Sequence, residues 1–241
     1  MAEFEISAAY TGEDHALREY DRYARAKYHL TLRWLQPLIR AGGLLYNIGV
    51  GGGYFNHLAT RAGLRVVGCE PDPDAFLLAE ASKPAQYCDL LPLGLDEFAK
   101  DREPADFAVM HDVLEHIDDH AGAAATLKSI VRPNGRIVLS VPALRALYGK
   151  HDEELGHFRR YSKISLRQVL EPHFKIHRLT YFGMASIPIV LYYSVLKRSS
   201  YPRSGAADNV LSKAYGAICD FESFISEPIG TSLIAELQPR T

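Results

Sequence analysis

The stretch "LLYNIGVGGGYF", residues 44–55, is the most informative dozen residues in the chain. A short apolar run enters a loop with glycine at 49, 51, 52 and 53. Strand, glycine loop and helix in that order bring backbone amides close to a ligand at a helix N-terminus. Glycine is needed there because a Cβ would collide and because some positions take positive φ. A dinucleotide fingerprint beginning at Gly49 would need its third glycine at position 54, which is Tyr54. The lysine and hydroxyl residue of a phosphate loop are missing too. The spacing Gly49-x-Gly51-x-Gly53 therefore favours a nucleoside without a diphosphate.

Outward from the loop, "YFNHLATRAG" reads as a helix stopped by Gly63 and "LRVVGCE" as a second strand. "PDPDAFLLAEAS" is a second helix capped by Asp72 or Asp74, and "AQYCD" a short third strand. "ADFAVM" is a fourth strand, "HDVLEHIDDHAGAAATLKSIV" is helical, "RPNG" is a turn and "RIVLSVPA" a fifth strand. Unbroken β-α alternation of this kind predicts an α/β fold, a Rossmann-like doubly wound, mostly parallel sheet. Residues 13–36 predict a long N-terminal helix. Beyond residue 142, "LRALYGKHDEELGHFRRYSK" reads as polar loop, "ISLRQVLEPH" as helix, and "FKIHRLTYFG" and "TSLIAELQP" as strands. The stretch 199–208 is the best candidate for a mobile loop. One domain is expected: a helical cap over 1–40, a cofactor-binding core over 41–145, and a substrate-side region over 146–241 with an apolar insertion at about 183–230.

The bulk composition of the 241 residues excludes several classes. Formal net charge is -2, which gives no basis for general nucleic-acid binding. Three cysteines without a CxxC do not make a disulfide framework and suit a reducing, cytoplasmic location. The acidic start "MAEFEISAAYTGEDH" lacks the apolar core of a signal peptide.

Acids follow the strands in a telling order. Glu70 closes the second strand, seventeen residues after Gly53, where a carboxylate accepts both hydroxyls of a ribose. Asp89 closes the third, placed to accept from an adenine amino group, with Leu90 against the ring. With these in place the sequence resembles the class I S-adenosylmethionine-dependent methyltransferases. The matching segments are "NIGVGGG", Glu70, Asp89, "DFAVMHDVLEHIDD" and "VRPNGRIVLSVP", and the likeness covers roughly residues 40 to 145. "HDEELGHFRRYS" and "PIGTSLIAEL" resemble a bacterial subgroup linked to glycan, lipid or secondary-metabolite modification. The resemblance implies a seven-stranded sheet with its last strand antiparallel, S-adenosylmethionine as cofactor, S-adenosylhomocysteine as product and a small-molecule substrate. It implies cofactor contacts from Asn47, Gly49, Val50, Gly51, Gly53, Glu70, Pro71, Asp89, Leu90, His111 and Asp112, and from Arg25 to the cofactor carboxylate. Asn47 departs from the family, which carries an acid there. An amide keeps the size and an acceptor but not the charge that would favour an ammonium group.

Histidines supply candidate bases. His116 lies in "HDVLEHIDDH", and His151 and His157 in "HDEELGHFRRY", beyond strands four and five at the ligand-binding edge. His120 reads as structural, with Asp118 or Asp119 capping a new helix. Asp112-x-x-Glu115-His116 resembles a metal motif of ubiquinone-pathway O-methyltransferases, but similar segments occur without metal, and no metal is expected.

Aromatic residues mark a lid or added core: Tyr20, Tyr23, Tyr28 and Trp34 on the N-terminal helix, and Tyr181, Phe182, Tyr192, Tyr193 and "DFESF" at 220–224. The segment 181–198, "YFGMASIPIVLYYSVLKR", is too short to span a bilayer, which takes about twenty residues. It reads as a buried or substrate-covering helix, or as a weak membrane-surface contact. The expected activity is methyl transfer to oxygen or nitrogen of a small, apolar, aromatic or glycosylated metabolite. A non-catalytic cofactor-binding scaffold and a peripheral enzyme on lipid-linked glycan are the alternatives, and a homodimer is a candidate assembly.

Overall fold

The computed structural model describes residues 21–199 and 210–240. Seven strands form one sheet in the order β3-β2-β1-β4-β5-β7-β6. They are β1 (Leu44–Ile48), β2 (Arg65–Cys69), β3 (Cys88–Leu91), β4 (Ala105–His111), β5 (Val131–Pro142), β6 (Phe174–Phe182) and β7 (Ser232–Pro239). The first five are parallel, and β7 runs antiparallel between β5 and β6. The expected sheet is thus the observed one. Order reverses beside β1, so the carboxyl ends of β1 and β4 flank the crevice where such sheets hold ligands.

Alternation along the strands gives two cores. Leu44, Tyr46 and Ile48 pack with Met110, Ile137 and Leu139 on one face. That face is covered by α5 (His120–Ser129) and α7 (Lys163–Leu170), which contribute Leu127 and Leu166. Leu45, Val66, Val109 and Val138 face the other way, against Leu30, Trp34 and Leu35 of α1 (Arg22–Leu35) and Phe55 and Ala59 of α2 (Tyr54–Arg61). Buried aliphatic surface of this kind stabilises by about 25 cal/mol per Å². Tyr23, Trp34 and Phe182 belong to or pack against this second core, so part of the aromatic set is packing. The expected positions 13–20 of the first helix, with Tyr20, lie outside the described residues, as does most of the segment 199–208.

Asp72, one of the two expected caps, caps α3 (Pro73–Ser82), accepting from the Ala75 amide at 2.7 Å. A new helix, α5, starts at an Asp119 cap as expected, while the stretch between His111 and that cap is a single 3-10 turn, Leu114–His116. Two other expectations differ. "RPNG" is no separate turn but lies inside β5, beside an irregularity between Ala105 and Phe107. The polar stretch after β5 is not a solvated loop. It holds α6 (Lys150–Glu154), with Asp152 and His157 buried.

Candidate active site

The glycine loop is built by contacts that only glycine permits. Gly49 has φ of 73°, and a Cβ added there would lie 2.3 Å from Val113 Cγ2. The loop therefore touches the segment after β4. Gly68 in mid-β2 would place a Cβ 2.4 Å from Val50 and 2.9 Å from Leu90, so those side chains converge over the strand. Amides of Gly49 and Val50 donate to the Cys69 carbonyl at 2.9 and 3.2 Å.

Glu70 follows β2 and is buried. Its carboxylate accepts from the Gly51 amide at 2.8 Å and the Asp72 amide at 3.1 Å. An ionised carboxylate offers about four acceptor positions, so one group can both brace the loop and take hydroxyls. Pro71 leads directly into the α3 cap. Asp89 is the second residue of β3, level with Val67 and exposed, because the strand continues to Leu91.

Asn47 is buried on β1 and donates from Nδ2 to Asn56 Oδ1 at 2.7 Å. The first-strand acid of the family is replaced by a neutral amide pair. Asn56 is itself fully buried, and its Nδ2 has no hydrogen-bond partner in the protein.

Across the crevice, His111 ends β4 in a closed pocket. Its Nε2 lies 2.9 Å from Thr31 Oγ1, and its ring meets Tyr28 and Phe55 at 4.9 and 5.1 Å between centroids. Burial, with Lys27 nearby, pushes its pKa down to about 3, so the imidazole is neutral at physiological pH. Asp112 follows with φ of 54°, a left-handed conformation that Asp tolerates better than most residues. It accepts from Ser140 Oγ at 2.9 Å and pairs with the buried Lys27 Nζ. Lys27 and Thr31 were not singled out in the sequence. They come from α1, a cap whose neighbours in space are some eighty residues away in the chain. Arg25 is exposed, its guanidinium 4.9 Å from the Tyr54 ring centroid at the start of α2.

A second cluster follows β4 and β5. His157 Nδ1 lies 2.9 Å from Asp152 Oδ1, which also accepts from Arg160 Nε at 2.8 Å. Asp152 Oδ2 accepts from the Gly149 amide at 3.0 Å. Burial pushes the Asp152 carboxyl up, but His157 and Arg160 outweigh it and hold it below the usual value. With Nδ1–H donated to Asp152, the neutral ring keeps its lone pair on Nε2. That atom is buried without a hydrogen bond and stands 3.9 Å from Glu115 Oε1. His116 meets the His157 ring edge-on at 4.6 Å. Glu115, His116 and His157 bring ligand atoms within 4.8 Å of one another, a donor set of the kind that holds divalent ions. His151 stands apart from them in α6, half-buried, its amide donating to Ser194 Oγ at 3.3 Å. His120 is structural as expected, its Nδ1 2.9 Å from the Tyr161 hydroxyl.

A methyltransferase-domain family profile matches residues 17–176, about two thirds of the chain. This chain belongs to the class I S-adenosylmethionine-dependent methyltransferase family. An uncharacterized methyltransferase of Mycobacterium marinum is 31% identical over 121 residues, covering 49% of this chain and 46% of the relative. A ubiquinone biosynthesis O-methyltransferase of a Methylobacterium species is 34% identical over 106 residues, covering 42% and 41%. The chain thus spans about half the length of the curated relatives it matches. Among solved methyltransferases, the N-methyltransferase NodS of Bradyrhizobium japonicum, in complex with S-adenosylhomocysteine, shares the fold. Its TM-score is 0.58 at 15% identity, covering 91% of this chain and 88% of that one.

Proposed function

We propose that this methyltransferase-family chain transfers the methyl group of S-adenosylmethionine to an oxygen or nitrogen of a small, apolar, aromatic or glycosylated acceptor. The carrying observation is the Glu70 carboxylate bound to the Gly51 amide at 2.8 Å, which holds an acceptor for the hydroxyls of an adenosyl ribose against the glycine loop. Asn56 Nδ2, a buried donor beside the same loop, further supports a ligand with an acceptor there. When bound, the cofactor supplies a methyl group already activated on a sulfonium.

The chain's part is to bind, align and move one proton. Glu70 accepts the ribose hydroxyls, Val50 and Leu90 flank the adenine, and Arg25 faces the carboxylate end. Neutral His111, closed in by Tyr28 and Phe55, keeps water from the reacting edge without adding a positive charge beside the sulfonium. His157, oriented by Asp152, takes the proton of a hydroxyl or protonated amine at Nε2. Asp152 at 2.9 Å and Glu115 at 3.9 Å are the two carboxylates that border the ring. His116, edge-on to this base, and His151, beside Asp152 in the chain, serve as substrate contacts. Alignment supplies most of the rate and the base a further factor. A cytoplasmic location is part of this proposal, motivated by three buried free cysteines.

Calorimetry with S-adenosylmethionine and S-adenosylhomocysteine, followed by transfer assays on phenolic, amine and glycoside panels, tests the reading. Binding with turnover of at least one class is expected. Binding without turnover of any class would favour the scaffold alternative.

A further inference from the structure

The described parts of the segment 184–229, residues 184–199 and 210–229, are built inside out. Helix α8 (Ile187–Val190) and the wider π-helical stretch Leu191–Leu196 turn Ser186, Val190 and Ser194 toward the protein. Their outward side chains are Ile189, Leu191, Tyr192 and Leu196. The neighbouring α9 (Val210–Glu222) repeats the inversion. Gly216, Cys219 and Glu222 are buried while Ile218 and Phe221 are exposed. Glu227 is buried as well, and Phe224, in the turn after α9, is 72% exposed. Polar hydrogen bonds hold the inner seam: Ser186 Oγ to Tyr215 Oη at 2.7 Å, and the Ala185 amide to Glu222 at 2.8 Å. Of sixteen exposed large hydrophobic side chains among the described residues, eleven fall between Met184 and Ile229, so the exposed apolar side chains are concentrated in this part of the chain. Concentrations of exposed apolar surface mark interaction sites.

We infer that this outward apolar face lies on an anionic lipid surface. Charge selects that occupant. Among the described residues, the exposed charges of the two helices and their ends are Lys197, Arg198 and Lys213 against Asp220, because Glu222 and Glu227 are buried. Arg198 pairs with the exposed Glu153 at 3.1 Å, and Arg33 lies 3.7 Å over the Phe224 ring, which adds a further cation to the apolar rim. A basic-edged apolar face suits acidic headgroups. A second copy on the same face would oppose its own cations across a two-fold axis. No helix among the described residues is long and apolar enough to cross a membrane, so the face lies on the surface and does not span it. Ser194 bonds the His151 amide, and its carbonyl lies 2.3 Å from where a Gly149 Cβ would sit. Docking therefore brings the lipid surface to the segment that packs on the start of α6, the helix that carries Asp152. That last step, a lipid-borne acceptor, rests on the methyl-transfer reading; the docking itself does not.

The test is sedimentation of the full chain with phosphatidylcholine vesicles, with and without phosphatidylglycerol, alongside cofactor calorimetry on the same samples. Binding to the anionic vesicles is expected, about tenfold or more weaker to neutral ones given three exposed cations. Leu191→Ser/Tyr192→Ser/Leu196→Ser should abolish it while leaving cofactor affinity intact. Lys197→Ala/Arg198→Ala should weaken it and flatten its salt dependence. Sedimentation with neither vesicle overturns the inference, as does a dimer in solution that the triple variant dissolves. Cofactor binding with no vesicle binding rejects the docking alone, and the converse rejects the methyl-transfer reading alone.

Discussion

The sheet core and the 184–229 segment sort the same residue types in opposite ways. In β1, β4 and β5, aliphatic side chains are inside, and the polar groups that are buried have named partners: Asn47 with Asn56, Ser140 with Asp112, His111 with Thr31. In the two outer helices the seam includes serine, glycine and carboxylate beside Val190 and Cys219, and most of the large apolar side chains face outward. The contrast teaches that the first region is shaped by its own folding, whereas the second is shaped by something it meets. A protein does not gain stability by exposing a phenylalanine and burying a glutamate.

The sharpest way to break this contrast is paired truncation. Leu139→Ala in β5 should cost about 2–5 kcal/mol in urea unfolding, as for other buried leucines. Leu196→Ser should change stability by no more than about 0.5 kcal/mol. Equal losses would mean the outer helices are ordinary core.

Next in size is the proton-transfer cluster. His157→Ala should lower kcat about 100-fold with KM little changed, the lower end for a general base. Asp152→Asn should give a smaller loss and shift the pH profile, since it alters the orientation of the ring and not the base itself. Chelator should leave turnover unchanged. A loss that added divalent ion restores would transfer the role of Glu115, His116 and His157 to metal ligation.

The two regions should also respond to pH with opposite sign. His111 has its pKa lowered from 6.5 to about 3, so the unfolded chain binds the proton first. Its contribution to stability is present above pH 6.5 and is lost as pH falls toward 3. Glu227 is raised above 4.5 by burial, then by the adjacent Glu222, so the folded chain holds the proton longer. Its contribution declines as pH rises above 4.5. Hydrogen exchange should show the Met184 and Ala185 amides, which bond these two carboxylates, opening more readily at pH 8 than at pH 5. Between pH 7 and pH 5 the two contributions oppose each other, so His111→Gln, which removes the one that falls, should gain thermal stability relative to the wild type as the pH is lowered from 7 to 5.

The smallest expected effect is at the glycine loop. Asn47→Asp should raise cofactor affinity by a few fold and keep activity, because Asn56 can turn its amide to donate to the new carboxylate. Loss of turnover would make the neutral pair part of the working site.

Much of the first region was legible in the sequence. Strand-loop-helix periodicity predicts the sheet, and the positions of Gly49, Gly51 and Glu70 depend on neighbours within one β-α-β unit. Asp89 was misplaced by two residues because a strand's last residue carries no signal of its own. Lys27 and Thr31 were not legible, since nothing in "RAKYHLT" says which polar side chain will be buried under a strand end far along the chain. Asp152 was hidden in a run that reads as solvated, because its burial depends on His157 and Arg160 folding back over it. The segment 184–196 misled for a different reason. An apolar run predicts burial, but the run does not state which medium does the burying.

The most direct test of the account is calorimetric titration of the purified chain with S-adenosylmethionine, run beside Glu70→Ala. Saturable binding at one site, lost by about 100-fold or more when two amide bonds and the ribose acceptor are removed, is the expected result. Absence of binding by the wild-type chain, or equal binding by Glu70→Ala, would contradict it.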